Sequence, residues 1–183
     1  MGDVVEVTNS YLMSGIGMAA ERHWNDIALA PGDEVARLKS IRIIAQGKVA
    51  DTVDIRDAVS IEMEYWNNKP DANLLSAFSF VNEQGQILFV SADFNDDQLA
   101  VKPKGIFRSR CTVPGNLFAE GRVSVVAEVS TRHPMYQIHF LEWDSVCFNV
   151  IDKGELGSVR ANWGRNIPGL MRPQLEWQTE FVG

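Results

Sequence analysis

The chain has little of what most catalytic and membrane proteins need. Among 183 residues there are two cysteines, Cys111 and Cys147, and three histidines, His23, His133 and His139. Two cysteines make no disulfide framework, and both sit in apolar, strand-like runs where a reduced, buried thiol is the ordinary state. A Cys111–Cys147–His139 thiol–histidine site would fall one ligand short of a structural zinc centre. The chain has no glycine-rich phosphate loop with Lys-Ser or Lys-Thr, no Gly-x-Ser-x-Gly elbow and no His-Glu-x-x-His. It therefore carries no signature of ATP hydrolysis, of a serine hydrolase or of a zinc protease. No apolar run reaches the roughly 18 residues of a spanning helix, and no N-terminal stretch reads as a signal peptide.

Positive charge is also scarce. Seventeen basic residues face 24 acidic ones, giving a formal net charge of -7. Nucleic-acid binders concentrate positive charge, so this balance argues against that partner while leaving uncharged ligands such as sugars open.

The chain is long enough for one domain that buries roughly 70% of its extended surface. Residues 3–13 have a capping-box spacing in Asp3 and Glu6, with Val4, Val7, Tyr11 and Leu12 on one face, and predict a short helix. Gly15 and Gly17 end that pattern. Residues 14–34 read as a linker closing on the turn Pro31-Gly32-Asp33. From residue 35 the periodicity becomes two. Val59, Ile61, Met63 and Tyr65 alternate with Ser60, Glu62, Glu64 and Trp66. Leu75–Val81 and Gln86–Ala92 flank Asn-Glu-Gln-Gly, a hairpin signal. Further strands are expected at Arg37–Ala45, Ile106–Val113, Arg122–Val129, Gln137–Leu141 and Val146–Val150. Phe118 reads as an apolar plug ahead of one of them.

About eight strands without helical periods or an internal repeat predict an all-β, immunoglobulin-like or jelly-roll-like β-sandwich with a short N-terminal helix and linker. Ile41, Ile43, Ile61, Met63, Val123, Val125, Phe148 and Val150 form its expected core.

Three features carry possible chemistry. Glu62 and Glu64 lie about 7 Å apart on one strand face, side by side and not opposed across a cleft. That placement suits a solvated sheet face better than a glycosidase pair. Trp66, beside Asn67 and Asn68, suits a pyranose ring: the indole takes the apolar sugar face, while carboxylates and amides serve the hydroxyls. Arg108 and Arg110 share a face of another strand, where they can pair with Glu62 and Glu64 or meet an anionic group on a glycan. The acidic run Asp93, Asn95, Asp96 and Asp97 lacks the spacing of a calcium loop and reads as a solvated turn. The C-terminal tail is rich in glycine and proline yet holds Trp163 and Trp177. It needs a surface to pack against, in its own sandwich or in a partner's.

These pieces, in this order, resemble the C-terminal carbohydrate-binding domain of the ATP-binding subunits of ABC transporters that export O-antigen and related polysaccharides. The resemblance runs through Gly2–Leu12, Pro31-Gly-Asp33 before Val35–Ile43, and the hairpin Phe78–Ser91. It continues through Ile106–Val113 with Pro114, Leu117–Glu128 and Trp143–Val150. It ends in the tail at Gly157–Arg160, Trp163, Gly169, Pro173 and Trp177.

The resemblance implies residues 1–34 as helix and linker from a nucleotide-binding domain absent here, and 35–183 as the sandwich with a packing or swapped tail. It implies non-catalytic recognition of a bacterial polysaccharide near its non-reducing end. Ligand residues differ between members with their glycans, so the candidate glycan-binding residues, Glu62, Glu64, Trp66, Asn67, Arg108 and Arg110, are read from the strand faces. Trp163, Pro173 and Trp177 become candidates for dimer or tail packing. The expected partners are the glycan, a second copy that exchanges terminal strands, and the transporter's transmembrane subunit reached through the full-length protein. No nucleic acid, metal, cofactor or catalytic residue is expected. The place implied is the cytoplasm, at the inner face of the bacterial inner membrane. The alternative role is a structural dimerisation module without direct glycan contact.

Overall fold

A computed structural model describes residues 19–94, 101–165 and 167–183. The expected helix at residues 3–13 lies outside the described residues, as does most of the acidic run after Asp93. Ten strands follow in order: β1 (Glu21–His23), β2 (Ala36–Ala45), β3 (Lys48–Val49), β4 (Thr52–Asp54), β5 (Val59–Asn67), β6 (Leu74–Asn82), β7 (Ile87–Ala92), β8 (Gly105–Val113), β9 (Gly121–Thr131) and β10 (Gln137–Ile151). They form two sheets. The first runs β1-β2-β5-β8, with β3 paired to β2, and the second runs β4-β10-β9-β6-β7. All pairs are antiparallel except β4 with β10.

Alternation builds the core. Ile41, Ile43, Ile61, Met63 and Tyr65 point inward from the first sheet. Phe80, Val123, Val125, Phe148 and Val150 answer from the second, and all are buried. Phe118, in the loop before β9, is the expected plug. Its ring lies 5.5 Å from those of Phe80 and Phe148 and 5.7 Å from that of Phe89. Such contacts add to the area term because offset and edge-on rings complement one another's quadrupoles.

The short strands β3 and β4 were not expected from the sequence, and two longer segments also differ from its reading. Residues 14–34, read as a linker, contain β1, which pairs with β2 through Glu21↔Arg42 and His23↔Ser40. The carbonyls of Ala19 and Ala20 accept from Cys147 in the second sheet and Ile43 in the first, so this segment ties the sheets together along one edge. A three-residue strand has too few positions to show a period. Gln137–Leu141 and Val146–Val150, read as two strands, are one. A register shift between Glu142 and Val146 absorbs the break in pattern, with Asp144 at φ 47° and the buried Ser145 hydroxyl donating 2.8 Å to the Val125 carbonyl. An irregularity of this kind looks like a turn in sequence because alternation stops there.

Glycine is required where the loops press on the sandwich. Gly32 has φ 138°, and a Cβ there would sit 2.1 Å from the Ala36 carbonyl oxygen. A Cβ on Gly115 would sit 2.0 Å from the Arg56 carbonyl oxygen. No helix among the described residues is long and apolar enough to cross a membrane.

Candidate functional site

The outer face of the first sheet carries most of the residues singled out by sequence. Its three long strands, β2, β5 and β8, set four rungs. Ile44, Ser60 and Thr112 form one, followed by Arg42, Glu62 and Arg110, then Ser40, Glu64 and Arg108, and last Arg37, Trp66 and Ile106. Successive rungs lie about 7 Å apart, because the side-chain period of a strand is two residues. The first rung is closed by a 2.8 Å bond between the hydroxyls of Ser60 and Thr112.

The two middle rungs are an ion-pair ladder. Oε1 of Glu62 accepts from Nε and Nη2 of Arg42, and Oε2 accepts from Nε and Nη2 of Arg110. Arg108 adds a third cation, 3.7 Å from Glu62 Oε1. Oε1 of Glu64 accepts from Nε and Nη2 of Arg108, and Oε2 accepts from Lys39 Nζ at 2.6 Å. Lys39 reaches it because the β2–β5 register shifts between Leu38 and Ser40.

The Glu62 side chain is only 2% exposed, whereas those of Arg108 and Arg110 are 57% and 54% exposed. The acids lie underneath and the guanidiniums form the surface. Burial pushes the Glu62 carboxyl up, but the hydrogen bonds from Arg110 and Arg42 outweigh it and hold the carboxyl below the ordinary glutamate range. Lys39 and Arg108 do the same for Glu64, against a smaller effect of burial. Two adjacent carboxylates, both held ionised, make a poor acid–base pair, since glycoside hydrolysis needs one of them protonated.

Five of the six sequence candidates, Glu62, Glu64, Trp66, Arg108 and Arg110, therefore share this face. Asn67 does not. The same alternation that turns Trp66 outward turns Asn67 inward, where it is buried. Its amide donates to the carbonyls of Lys102 (3.2 Å) and Pro103 (2.9 Å), and its Oδ1 accepts from the Lys69 backbone. It fixes the loop ahead of β8 and is not presented beside the indole.

Next to the ladder is a feature the sequence reading missed. β8 and β7 are edge strands of opposite sheets, and a cleft of about 300 Å³ opens between them. Ser76, Ser91, Ser109 and Cys111 line it, and Arg108 and Arg110 stand at its rim. The Ser76 and Ser109 hydroxyls lie 2.8 Å apart, and the Cys111 thiol lies 3.7 Å from the Ser91 hydroxyl. The available signal was serine at positions where alternation predicts core. Which edges would face one another required the strand order.

The histidine and cysteine candidates for metal do not converge. Cys111 is on β8 and Cys147 on β10, in different sheets. His139 uses both ring nitrogens on Asp33 Oδ2 (2.9 Å) and Thr131 Oγ1 (2.7 Å). Among the described residues no three metal-ligating side chains are grouped.

The tail has two parts. Up to Arg172 it is tied to its own sandwich. Asn116 donates to the Gly157 carbonyl (2.9 Å) and accepts from the Val159 amide (3.0 Å), and the Arg172 amide donates to the Leu117 carbonyl (2.8 Å). From Pro173 onward it has no regular secondary structure and its side chains are exposed. A groove runs between Pro173–Glu176 and Pro114–Leu117, bridged by the Asn116 amide donating to Gln174 Oε1 at 3.0 Å. Trp163 is exposed and Trp177 is 88% exposed, so neither tryptophan is packed within its own chain.

No family model matches this sequence, and no curated protein matches it. Among solved structures, one described as the crystal structure of the C-terminal domain of wzt superposes with a TM-score of 0.64. It is 11% identical, with 91% of this chain and 93% of that chain covered. At that identity the match establishes a shared sandwich fold.

Proposed function

We propose that the chain is a non-catalytic recognition module for a cell-surface polysaccharide of the O-antigen type. It holds the glycan near its non-reducing end and couples it to export by an ABC transporter. The observation that carries this reading is the outer sheet face on which a half-buried Trp66 and an exposed Ile106 adjoin a fixed polar ladder. An indole beside ordered hydrogen-bonding groups is the usual chemistry of a saccharide subsite. The likeness to the wzt C-terminal domain and the resemblance of sequence to transporter carbohydrate-binding domains support it. In this reading the chain works beside the transporter's membrane subunit, at the inner face of the inner membrane, through a longer parent carrying the ATPase.

The test is an NMR titration of the labelled chain with lipopolysaccharide glycan from the producing bacterium, against an unrelated bacterial glycan. Saturable shifts on β5 and β8, with the control silent, are expected. Silence with the authentic glycan refutes direct recognition.

A second reading rests on a separate observation. Leu175, Trp177 and Phe181 fall on one side of an extended tail, with Thr179 between the last two, and all three are exposed. A partner subunit that takes up this strand would bury them, with Trp163 and Pro173 at the base of the exchange. The chain is then a homodimer joined through its tails. Truncation after Arg172 should yield a monomer by sedimentation, and a truncated chain that stays dimeric refutes exchange.

A further inference from the structure

We infer that the ligand of the first sheet's outer face is an acidic saccharide, a pyranose bearing a carboxylate or a phosphate. This rests on the glycan-recognition reading above and narrows it. The sequence suggested that Glu62 and Glu64 would accept hydrogen bonds from sugar hydroxyls. The geometry removes that role, because three of their four oxygens accept two donors from a single guanidinium and the fourth accepts the ammonium of Lys39. Glu62 is in addition covered by its partners. The Ser60 and Thr112 hydroxyls at the next rung bond each other, which uses one of their two protons.

What remains available is almost entirely donor. Arg42, Arg108 and Arg110 each spend Nε and Nη2 on the carboxylates below. The third nitrogen of each, Nη1, has no hydrogen-bond partner among the described residues. The side chains of Arg108 and Arg110 are more than half exposed and line the cleft. Four cations stand on the two acids of the middle rungs; Glu21, across from Arg42 on β1, and Asp93, in the cleft lining, are the further acids at the margins. A neutral sugar needs acceptors for its hydroxyl protons as well as donors, and on the two middle rungs the carboxylate acceptors already serve the cations. An oxyanion needs donors and positive charge alone. The ladder also fixes each guanidinium plane before any ligand arrives, so little side-chain freedom is left to lose on binding. Trp66 sits one rung from Arg108, about 7 Å along the strand. One pyranose ring can stack on the indole while its carboxylate or phosphate reaches the arginines.

The experiment records backbone, arginine Nε–H and tryptophan Nε1–H signals of the whole chain. The probes are methyl β-D-glucuronide, methyl β-D-glucoside and inorganic phosphate. The glucuronide should give saturable shifts at Arg108, Arg110 and Trp66 together, weakened by added salt. Phosphate should move the arginines and leave Trp66 unchanged, and the glucoside should bind about tenfold more weakly or not at all. Arg108→Gln and Arg110→Gln should each weaken the glucuronide about tenfold, with Arg110→Lys less affected. Unchanged dispersion of the backbone spectrum identifies the variants that remain folded.

Equal shifts at Trp66 from glucoside and glucuronide, with silent arginines, overturn acid selectivity and leave glycan recognition standing. So does binding of the authentic bacterial glycan that is indifferent to both arginine variants. Arginine shifts from both anions with Trp66 silent overturn the pyranose part. Silence of the whole face to all three probes overturns the inference, and silence to the authentic glycan as well removes the reading beneath it.

Discussion

Replacing Glu62 with glutamine should destabilise the fold far more than the same change at Glu64, two residues away on the same strand. The shape is kept at both sites, so the difference measures charge and burial. Glu62 is 2% exposed and accepts two donors on each carboxylate oxygen, from Arg42 and Arg110. A hydrogen bond to a charged group contributes about 1.5–3 kcal/mol, and removing one partner of a fully buried pair costs about 3–5 kcal/mol. The arginines here are partly exposed and regain water when released, which places Glu62→Gln near the lower end, about 3 kcal/mol. The Glu64 side chain is 17% exposed and its two cations are about as exposed as those of Glu62, so water replaces more of what is lost and Glu64→Gln should cost about 1 kcal/mol or less.

Urea denaturation of both variants, with unchanged m-values, gives the comparison. The pH dependence supplies a second readout. The Glu62 pKa is lower in the folded chain than its ordinary value of 4.5. The unfolded chain therefore binds the proton more readily. The stabilisation is complete above that ordinary value and is lost as pH falls through the lower folded pKa. Below that window the wild type and Glu62→Gln should converge in stability. Equal losses at Glu62 and Glu64, or a gap between wild type and Glu62→Gln that persists unchanged into acid, would refute the ladder as described.

Two further outcomes are expected. Phe118→Ala removes the ring that joins Phe80, Phe89 and Phe148 and should cost about 3–5 kcal/mol by the same denaturation assay, as for a large aromatic deleted from a core. Asp33→Ala should cost about 2 kcal/mol, because Oδ1 accepts from the amides of Val35 (2.7 Å) and Ala36 (3.0 Å) while Oδ2 holds the buried His139; hydrogen exchange should show the loss concentrated in the turn before β2 and at the start of β10.

Much of the sandwich can be read along the chain because a half-buried strand must alternate. Val59–Trp66 and the Asn-Glu-Gln-Gly hairpin state their structure locally, and all eight expected core residues are buried. The site was partly legible for the same reason: alternation alone puts Glu62, Glu64 and Trp66 together, and Arg108 with Arg110. Asn67 shows where adjacency in sequence misleads, since neighbouring strand residues face opposite sides. β1 was too short to show a period, and the shift at Glu142–Val146 interrupted one.

The faces of the longer strands were therefore determined by sequence, through the local geometry of the extended chain. Tertiary structure decided which strands became neighbours. That choice set Arg42 and Arg110 on either side of Glu62, covered the carboxylates and left the guanidiniums outermost. It also brought the β7 and β8 edges together around a cleft lined by serines far apart in sequence. Pairing across strands is non-local: the same alternating pattern is compatible with many neighbours, and only the packed sandwich selects among them.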